Sequence, residues 1–287
     1  ATPGNPMISI VIPNKDHYKD LDLCVTSVLK KSTYRNFEII IVENNSTEKE
    51  TFDYYNKIQK EYDNVRVLTW EREFNYSAIN NFGVKEAKGD YILLLNNDTK
   101  ILDKDSLGDM LGYCMRPEVG IVGSKLIYGD GTIQHAGVIL GLGGIAGHAF
   151  IGLDAKEYGY MSRAYLSCDY TAVTAACLMV PKAVFDEVGG LCEEYAVAFN
   201  DVDLCMKVRS KGYLVVYDAF SQWYHYESKS RGYEDTEEKI ERFHGEVNLF
   251  QTRWKDFLKK GDPYYSPNLT LDHNDFGLNH LAKVERR

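Results

Sequence analysis

The chain has 287 residues, of which 44% are hydrophobic and 26% charged, with only seven prolines, so it can enclose a large core and is not a disordered tail. Thirty-three Lys and Arg stand against 42 Asp and Glu, a net charge of −9, and no basic block offers a grip on a phosphate polymer, so no nucleic-acid partner is expected. The longest apolar runs, such as Tyr91–Leu95, are strand-sized and well short of the roughly 20 residues a membrane helix needs.

Residues 1–6 read as a linker-like remnant without the features of a secretory signal. Met7–Ile12, rich in β-branched residues, predicts a buried strand that stops at Pro13. Leu21, Cys24, Val25, Val28 and Leu29 recur at helical spacing, and Phe37–Val42 predicts the second strand. Thr47 with Glu50 has the pattern of a capping box, opening a helix with Phe52, Tyr55, Ile58 and Tyr62 on its apolar face. A third strand is predicted over Val65–Thr69, a helix over Ser77–Ala87, and a fourth strand over Tyr91–Leu95. Strands alternating with helices imply a mostly parallel sheet covered on both faces.

Beyond residue 118 the alternation decays into shorter strands. Gly137–Gly152 is glycine-rich, but its spacing does not match a dinucleotide fingerprint, and it reads as a flexible or tightly turned segment. A helix over Asp201–Lys211, a strand over Tyr213–Tyr217 and a long amphipathic helix carrying Ile240, Phe243, Val247, Phe250, Trp254 and Phe257 follow. The organisation expected is one domain over 7–260, with a nucleotide-binding half (7–117) and an acceptor-side half (118–260), then an irregular tail (261–287). Six scattered cysteines without a Cys-x-x-Cys pair suit small hydrophobes in a reducing, cytoplasmic setting.

In an open α/β sheet, ligands bind outside the carboxyl ends of the strands. The polar residues there are Pro13-Asn-Lys-Asp16, Glu43-Asn-Asn-Ser46 and Asn96-Asn-Asp-Thr99. Asp98, just past its strand, is placed to hold a hard divalent cation through oxygen; a plain Asn/Asp turn is the competing reading. For Asp201 the competing reading is a helix cap or first-turn carboxylate.

Six motifs in order, Ile10-Val-Ile-Pro13, Val42-Glu-Asn-Asn-Ser46, Asn81-Phe-Gly83 with Ala87-Lys-Gly-Asp-Tyr91, Leu93-Leu-Leu-Asn-Asn-Asp98, Val188-Gly-Gly-Leu191 and Asn200-Asp-Val-Asp-Leu-Cys205, together resemble family 2 glycosyltransferases of the GT-A fold. The resemblance runs over about residues 7 to 231. The fuller wording, including Phe74-Asn-Tyr-Ser77, His225 with Arg231 and Asp262-Pro-Tyr-Tyr-Ser266, is similar to bacterial transferases that build rhamnose-rich, O-antigen or other surface polysaccharides. It implies a Rossmann-like sheet with a smaller acceptor-side β region. It also implies an inverting, metal-dependent transfer of a sugar from a UDP- or dTDP-linked donor to a hydroxyl of a glycan or lipid-linked acceptor.

By that resemblance, Pro13, Asn14, Lys15, Glu43, Asn45, Asn75, Asn81 and Asn97 are expected at the donor, with Lys229 and Arg231 neutralising the departing diphosphate. Asp98 and His225 are expected to hold Mn²⁺ or Mg²⁺, and Asp201 to be the catalytic base, which must come within about 3 Å of the attacking hydroxyl. Asp203, Trp223, His135 and His148 are weighed at the acceptor, against structural roles for the histidines and a core role for Trp223. The family's usual first carboxylates are replaced by Asn96 and Asn200, which keeps a catalytically silent nucleotide-sugar or glycan-binding module in view. A nucleotidyltransferase is a further reading, although the loop after the first strand lacks glycine. Part of a longer chain, a homo-oligomer, and peripheral placement at the inner face of the membrane through partners are all compatible with this reading.

Overall fold

The computed structural model describes residues 2–227 and 236–279. Its centre is a ten-stranded sheet in the order β10-β12-β6-β11-β4-β1-β2-β3, with β5 added to β12 and β7 to β6. Strands β1 (Ile8–Asn14), β2 (Phe37–Glu43), β3 (Val65–Thr69) and β4 (Tyr91–Leu95) are parallel. β11 (Cys177–Pro181) runs antiparallel between β4 and β6 (Val119–Ile127), and β6 is parallel to β12 (Leu214–His225).

Alternation along β1 explains the two-layered core. Ile8, Ile10 and Ile12 face one apolar cluster with helices α1 (Tyr18–Lys31), α2 (Lys49–Glu61) and α4 (Ser106–Cys114). Val11 faces the other, with α3 (Tyr76–Lys85), α5 (Lys182–Glu187), α6 (Asn200–Ser210) and α7 (Glu237–Arg253). Successive side chains of a strand point to opposite faces, so one apolar run feeds both layers. Gly83 lets α3 lie close on the sheet: a Cβ there would come 2.5 Å from Val11 Cγ1 and 2.9 Å from Val42 Cγ2.

Several local expectations are corrected. β1 passes through Pro13, which pairs with Val42, and ends at Asn14. The missing proline donor does no harm, because alternation turns it toward β4, beyond the last pair on that side, Val11 with Leu94. The capping box at Thr47 does not form; Glu48 is the cap position, and Asp16 Oδ1 accepts the N–H groups of Thr47 and Glu48 at 2.8 Å each. The strand expected over 213–217 continues to His225, and the long C-terminal helix breaks at Trp254, where α8 (Lys255–Lys260) begins. The glycine-rich stretch is a hairpin, β8 (Val138–Leu140) against β9 (Ala146–His148).

The remaining short strands are β5 (Thr99–Ile101), β7 (Ile133–His135) and β10 (Cys168–Asp169). The segment after α8 packs back on the hairpin region: Asp262 accepts from Leu140 N–H at 2.8 Å and from the Thr171 hydroxyl at 2.9 Å, and Phe276 stacks on Phe150 and Tyr160. Among the described residues no helix is long and apolar enough to cross a membrane.

Candidate active site

The order β3-β2-β1-β4 reverses the direction of winding beside β1, so the loops after β1, β2 and β4 converge at one edge. Asn14 is buried there and bonds in three directions, donating to Tyr55 Oη at 2.7 Å and to the Asp16 carbonyl at 3.1 Å while accepting from Asn97 Nδ2 at 2.6 Å. Glu43, also buried, accepts the Ser46 N–H and so shapes its own loop. Pro13 is half-buried at the same end, and Lys15 is exposed beside it. Asn45 takes a left-handed conformation (φ 56°) and donates to the Arg72 carbonyl at 2.9 Å.

Next to this edge lies a cavity of about 350 Å³, with Tyr76, Asn96, Gln134, His148, Asp201 and His225 among its lining residues. Asp201 reaches it from the first turn of α6, which starts after Phe199 in a left-handed conformation (φ 59°). Its Oδ1 accepts Val202 N–H at 2.8 Å and its Oδ2 accepts Ala175 N–H at 3.1 Å. These two bonds aim the carboxylate, and each oxygen retains a lone pair for an incoming donor. The loop before α6 is in turn held by α7, where the buried Glu246 carboxylate accepts Val197 N–H at 2.9 Å and Ala198 N–H at 3.0 Å.

His225, at the end of β12, lines the same cavity, and its Nε2 lies 3.1 Å from Asp98 Oδ1. The three-residue strand β5 creates that meeting: Thr99 pairs with His225, and Tyr226 N–H donates to the Asp98 carbonyl at 2.9 Å. Asn96 Nδ2 approaches Nε2 at 3.2 Å, and Gln134 Oε1 approaches Nδ1 at 2.6 Å. An amide nitrogen only donates and an amide oxygen only accepts. Those two contacts match a proton on Nδ1 and an acceptor at Nε2, the ring nitrogen nearer Asp98.

Among the described residues no group of three His, Cys, Asp or Glu side chains forms a closed metal cage. The Asp98–His225 pair nonetheless suits an octahedral cation. Bonds of about 2.1 Å put neighbouring ligands about 3 Å apart, and such ions keep most of their other positions for phosphate oxygens and water.

Other expected site residues are committed elsewhere. Asn75 caps α3, its oxygen accepting Ala78 N–H at 3.0 Å and its nitrogen donating to the Glu193 carbonyl at 2.8 Å. Asn81 grips the 190s loop through Leu191 N–H and carbonyl, both at 2.9 Å, and Glu193 at 3.0 Å. Both amides bond to protein groups, and neither is among the residues lining the cavity. Asp203 lies on the core side of α6, fully buried, bonded to Trp254 Nε1 at 2.9 Å and Arg253 at 3.3 Å. Trp223 is likewise fully buried and bonded to Ser221, so it presents no face to a sugar.

The two histidines separate: His148 lines the cavity, whereas His135 lies behind it with no exposed surface, their Nδ1 atoms 3.3 Å apart. Burial pushes the pKa of both down, His135 well below the ordinary value, and the charge of Asp201 partly opposes the shift at His148. Lys229 and Arg231 lie outside the described residues. Gln134, Ala175 and Glu246 were not anticipated. None sits in a recognisable motif, and each matters through a contact distant in sequence.

Residues 9–187 match the family described as Glycosyl transferase family 2. The chain therefore belongs to family 2 of the glycosyltransferases, and its fold is the GT-A fold. It is similar to protein y4gI of Sinorhizobium fredii, at 48% identity over 96% of this chain and 30% of that protein. It is also similar to the O-antigen biosynthesis protein RfbC of Myxococcus xanthus, at 38% identity over 96% of this chain and 21% of that protein. The chain thus spans less than a third of these relatives.

Solved structures with the same fold include a mannosyltransferase of Pyrobaculum calidifontis in complex with GDP-Man and Mn²⁺. It has a TM-score of 0.62 and 12% identity, covering 88% of this chain and 68% of that one. GalNAc-T7 with UDP, GalNAc and Mn²⁺ has a TM-score of 0.69 and 15% identity, covering 89% and 50%.

Proposed function

We propose that this domain transfers a sugar, with inversion, from a nucleoside-diphosphate donor to a hydroxyl of a growing glycan in bacterial surface-polysaccharide synthesis. One observation carries the reading: Asp201 and His225 line a single cavity, and His225 is joined to Asp98 at the edge where the loops after β1, β2 and β4 meet. The Mn²⁺ and nucleotide sugars in the two structural neighbours and the O-antigen role of the RfbC relative support it.

Asp98 and His225 would hold Mn²⁺ or Mg²⁺, whose charge, when bound, favours departure of the diphosphate. Asn14, Glu43 and Asn97 shape the loop ends that would receive the base and ribose of a UDP- or dTDP-type donor. Asp201, held by Ala175 and Val202, takes the proton of the acceptor hydroxyl as that oxygen forms its bond to the anomeric carbon. The bond from that carbon to the diphosphate breaks, its electron pair leaving with the phosphate, and the sugar configuration inverts in one displacement. A glycan or a lipid-linked saccharide would supply the hydroxyl, and a peripheral position at the inner face of the membrane would suit the latter.

The test is a screen of UDP- and dTDP-sugars with Mn²⁺, following donor cleavage and glycan extension in the wild type and in Asp201→Asn. Loss of turnover by about 10²–10⁴-fold with unchanged nucleotide binding is expected of a missing base. Unchanged turnover in Asp201→Asn removes Asp201 from that role. Nucleotide-sugar binding without turnover in the wild type replaces the enzyme with a binding module.

A further inference from the structure

Gln134 lies on β7, in a segment with no family motif, yet its buried side chain touches the proposed cation-binding histidine directly. Its Nε2 donates to Glu227 Oε2 at 3.0 Å, and its Oε1 faces His225 Nδ1 at 2.6 Å. A carboxylate can only accept, so Glu227 dictates which end of the amide turns toward it. The other end must then be the oxygen, and the oxygen demands a proton on Nδ1. Glu227 thereby sets the tautomer of a histidine it does not touch. Tyr128 lines the same wall, and burial together with the charge of Glu227 pushes its phenol pKa up, which keeps it a hydrogen-bond donor toward that acid.

We infer that Gln134 and Glu227 are positioning residues, a two-step relay that holds His225 in the Nδ1–H form with its Nε2 lone pair aimed at the cation site beside Asp98. The inference rests on the metal site of the proposed function for its purpose, but the tautomer it specifies is a property of the protein alone. The relay also answers an electrostatic difficulty. A lone pair 3.1 Å from a carboxylate oxygen is unfavourable unless a positive charge is shared between them. A histidine free to choose would turn its N–H toward Asp98 and close the site with a hydrogen bond. Partners behind a metal-binding histidine commonly fix its ring and tautomer in this way.

Two measurements on the intact chain test it. First, long-range ¹H–¹⁵N spectra in EDTA, with His225 assigned by its disappearance in His225→Asn, report which ring nitrogen carries the proton. The Nδ1–H form is expected in the wild type, and a mixture of tautomers in Gln134→Leu and Glu227→Gln. The exchanged pair Gln134→Glu with Glu227→Gln should restore the Nδ1–H form, because a carboxylate at 134 accepts from both the new amide and the imidazole.

Second, Mn²⁺ titration followed by electron paramagnetic resonance should show affinity about 10-fold or more weaker in the two single variants and recovery in the exchanged pair. An Nε2–H histidine in the wild type, or identical spectra in all variants, overturns the relay. A wild type with the expected tautomer that binds no Mn²⁺, with or without UDP, leaves the relay standing and instead overturns the cation site. Unfolding of a single variant is recognised from its amide spectrum, and the exchanged pair then decides.

Discussion

Asp98 and His225, far apart in the chain, come within 3.1 Å because a strand of three residues, β5, pairs with the last residues of β12. Thr99 sits opposite His225, so the residue before β5 is brought beside the residue ending β12, which lines the cavity. The register is short, but the Tyr226–Asp98 backbone bond at 2.9 Å extends it by one further contact.

If this pair holds the cation, Asp98→Ala removes its only anionic member. Mn²⁺ affinity measured by calorimetry in the presence of UDP should fall by at least about 100-fold, the upper end of what loss of a supporting contact alone costs. His225→Ala should fall comparably, and the double variant little further, because both act on one site. Independent, additive losses would show that the two side chains serve separate sites.

Glu246 should matter to turnover without touching substrate. It is buried and satisfies the N–H groups of Val197 and Ala198, the residues that lead into Phe199 and Asp201. Glu246→Ala strands two N–H donors, so a loss of about 2–4 kcal/mol in urea unfolding is expected. Among folded molecules kcat should fall more than KM rises, since the Asp201 loop loses its anchor. A stability loss with kcat intact would confine Glu246 to a structural part.

Gly83→Ala puts a methyl group where Val11 and Val42 already stand, 2.5 Å and 2.9 Å away. Overpacking of a filled core costs about 1–3 kcal/mol. Thermal denaturation should show a lower midpoint, and relief in the double variant with Val11→Ala would identify Val11 as the clash.

The depressed pKa values of His135 and His148, caused first by burial, make a signed prediction for stability against pH. In the unfolded chain each titrates near 6.5, so below that pH the unfolded state binds protons that the folded state refuses. The stabilisation is full above about pH 6.5 and is lost as pH falls through the window between that value and the lower folded pKa. His135→Phe should flatten the slope of unfolding free energy between pH 6.5 and 5. A slope unchanged by the substitution would mean that other groups carry the acid sensitivity.

Much of the donor half is legible in the chain itself. The apolar runs at 7–12, 37–42 and 91–95 became buried parallel strands, because an apolar stretch of that length gains most by being covered on both faces. The polar residues after them fell at one edge as a consequence of winding. The helix beginning near Asp201 was legible too, as was the placing of its carboxylate in the first turn.

The places of single polar and aromatic side chains were not. Asn75, Asn81, Asp203 and Trp223 are of the residue types that bind sugars and nucleotides, and side-chain chemistry alone cannot separate a cleft from a loop clamp or a core. Only the packing of α3 on the 190s loop, of α6 on Trp254 and Arg253, and of β12 within the core shows where each of them lies. The pairing of β5 with β12, the Gln134–Glu227 contact and the Glu246 clamp likewise depend on short elements whose local signal is weak. Periodicity is a local property written into a strand or helix by burial, whereas a site assembled from single residues on many elements exists only once long-range pairing has brought them together.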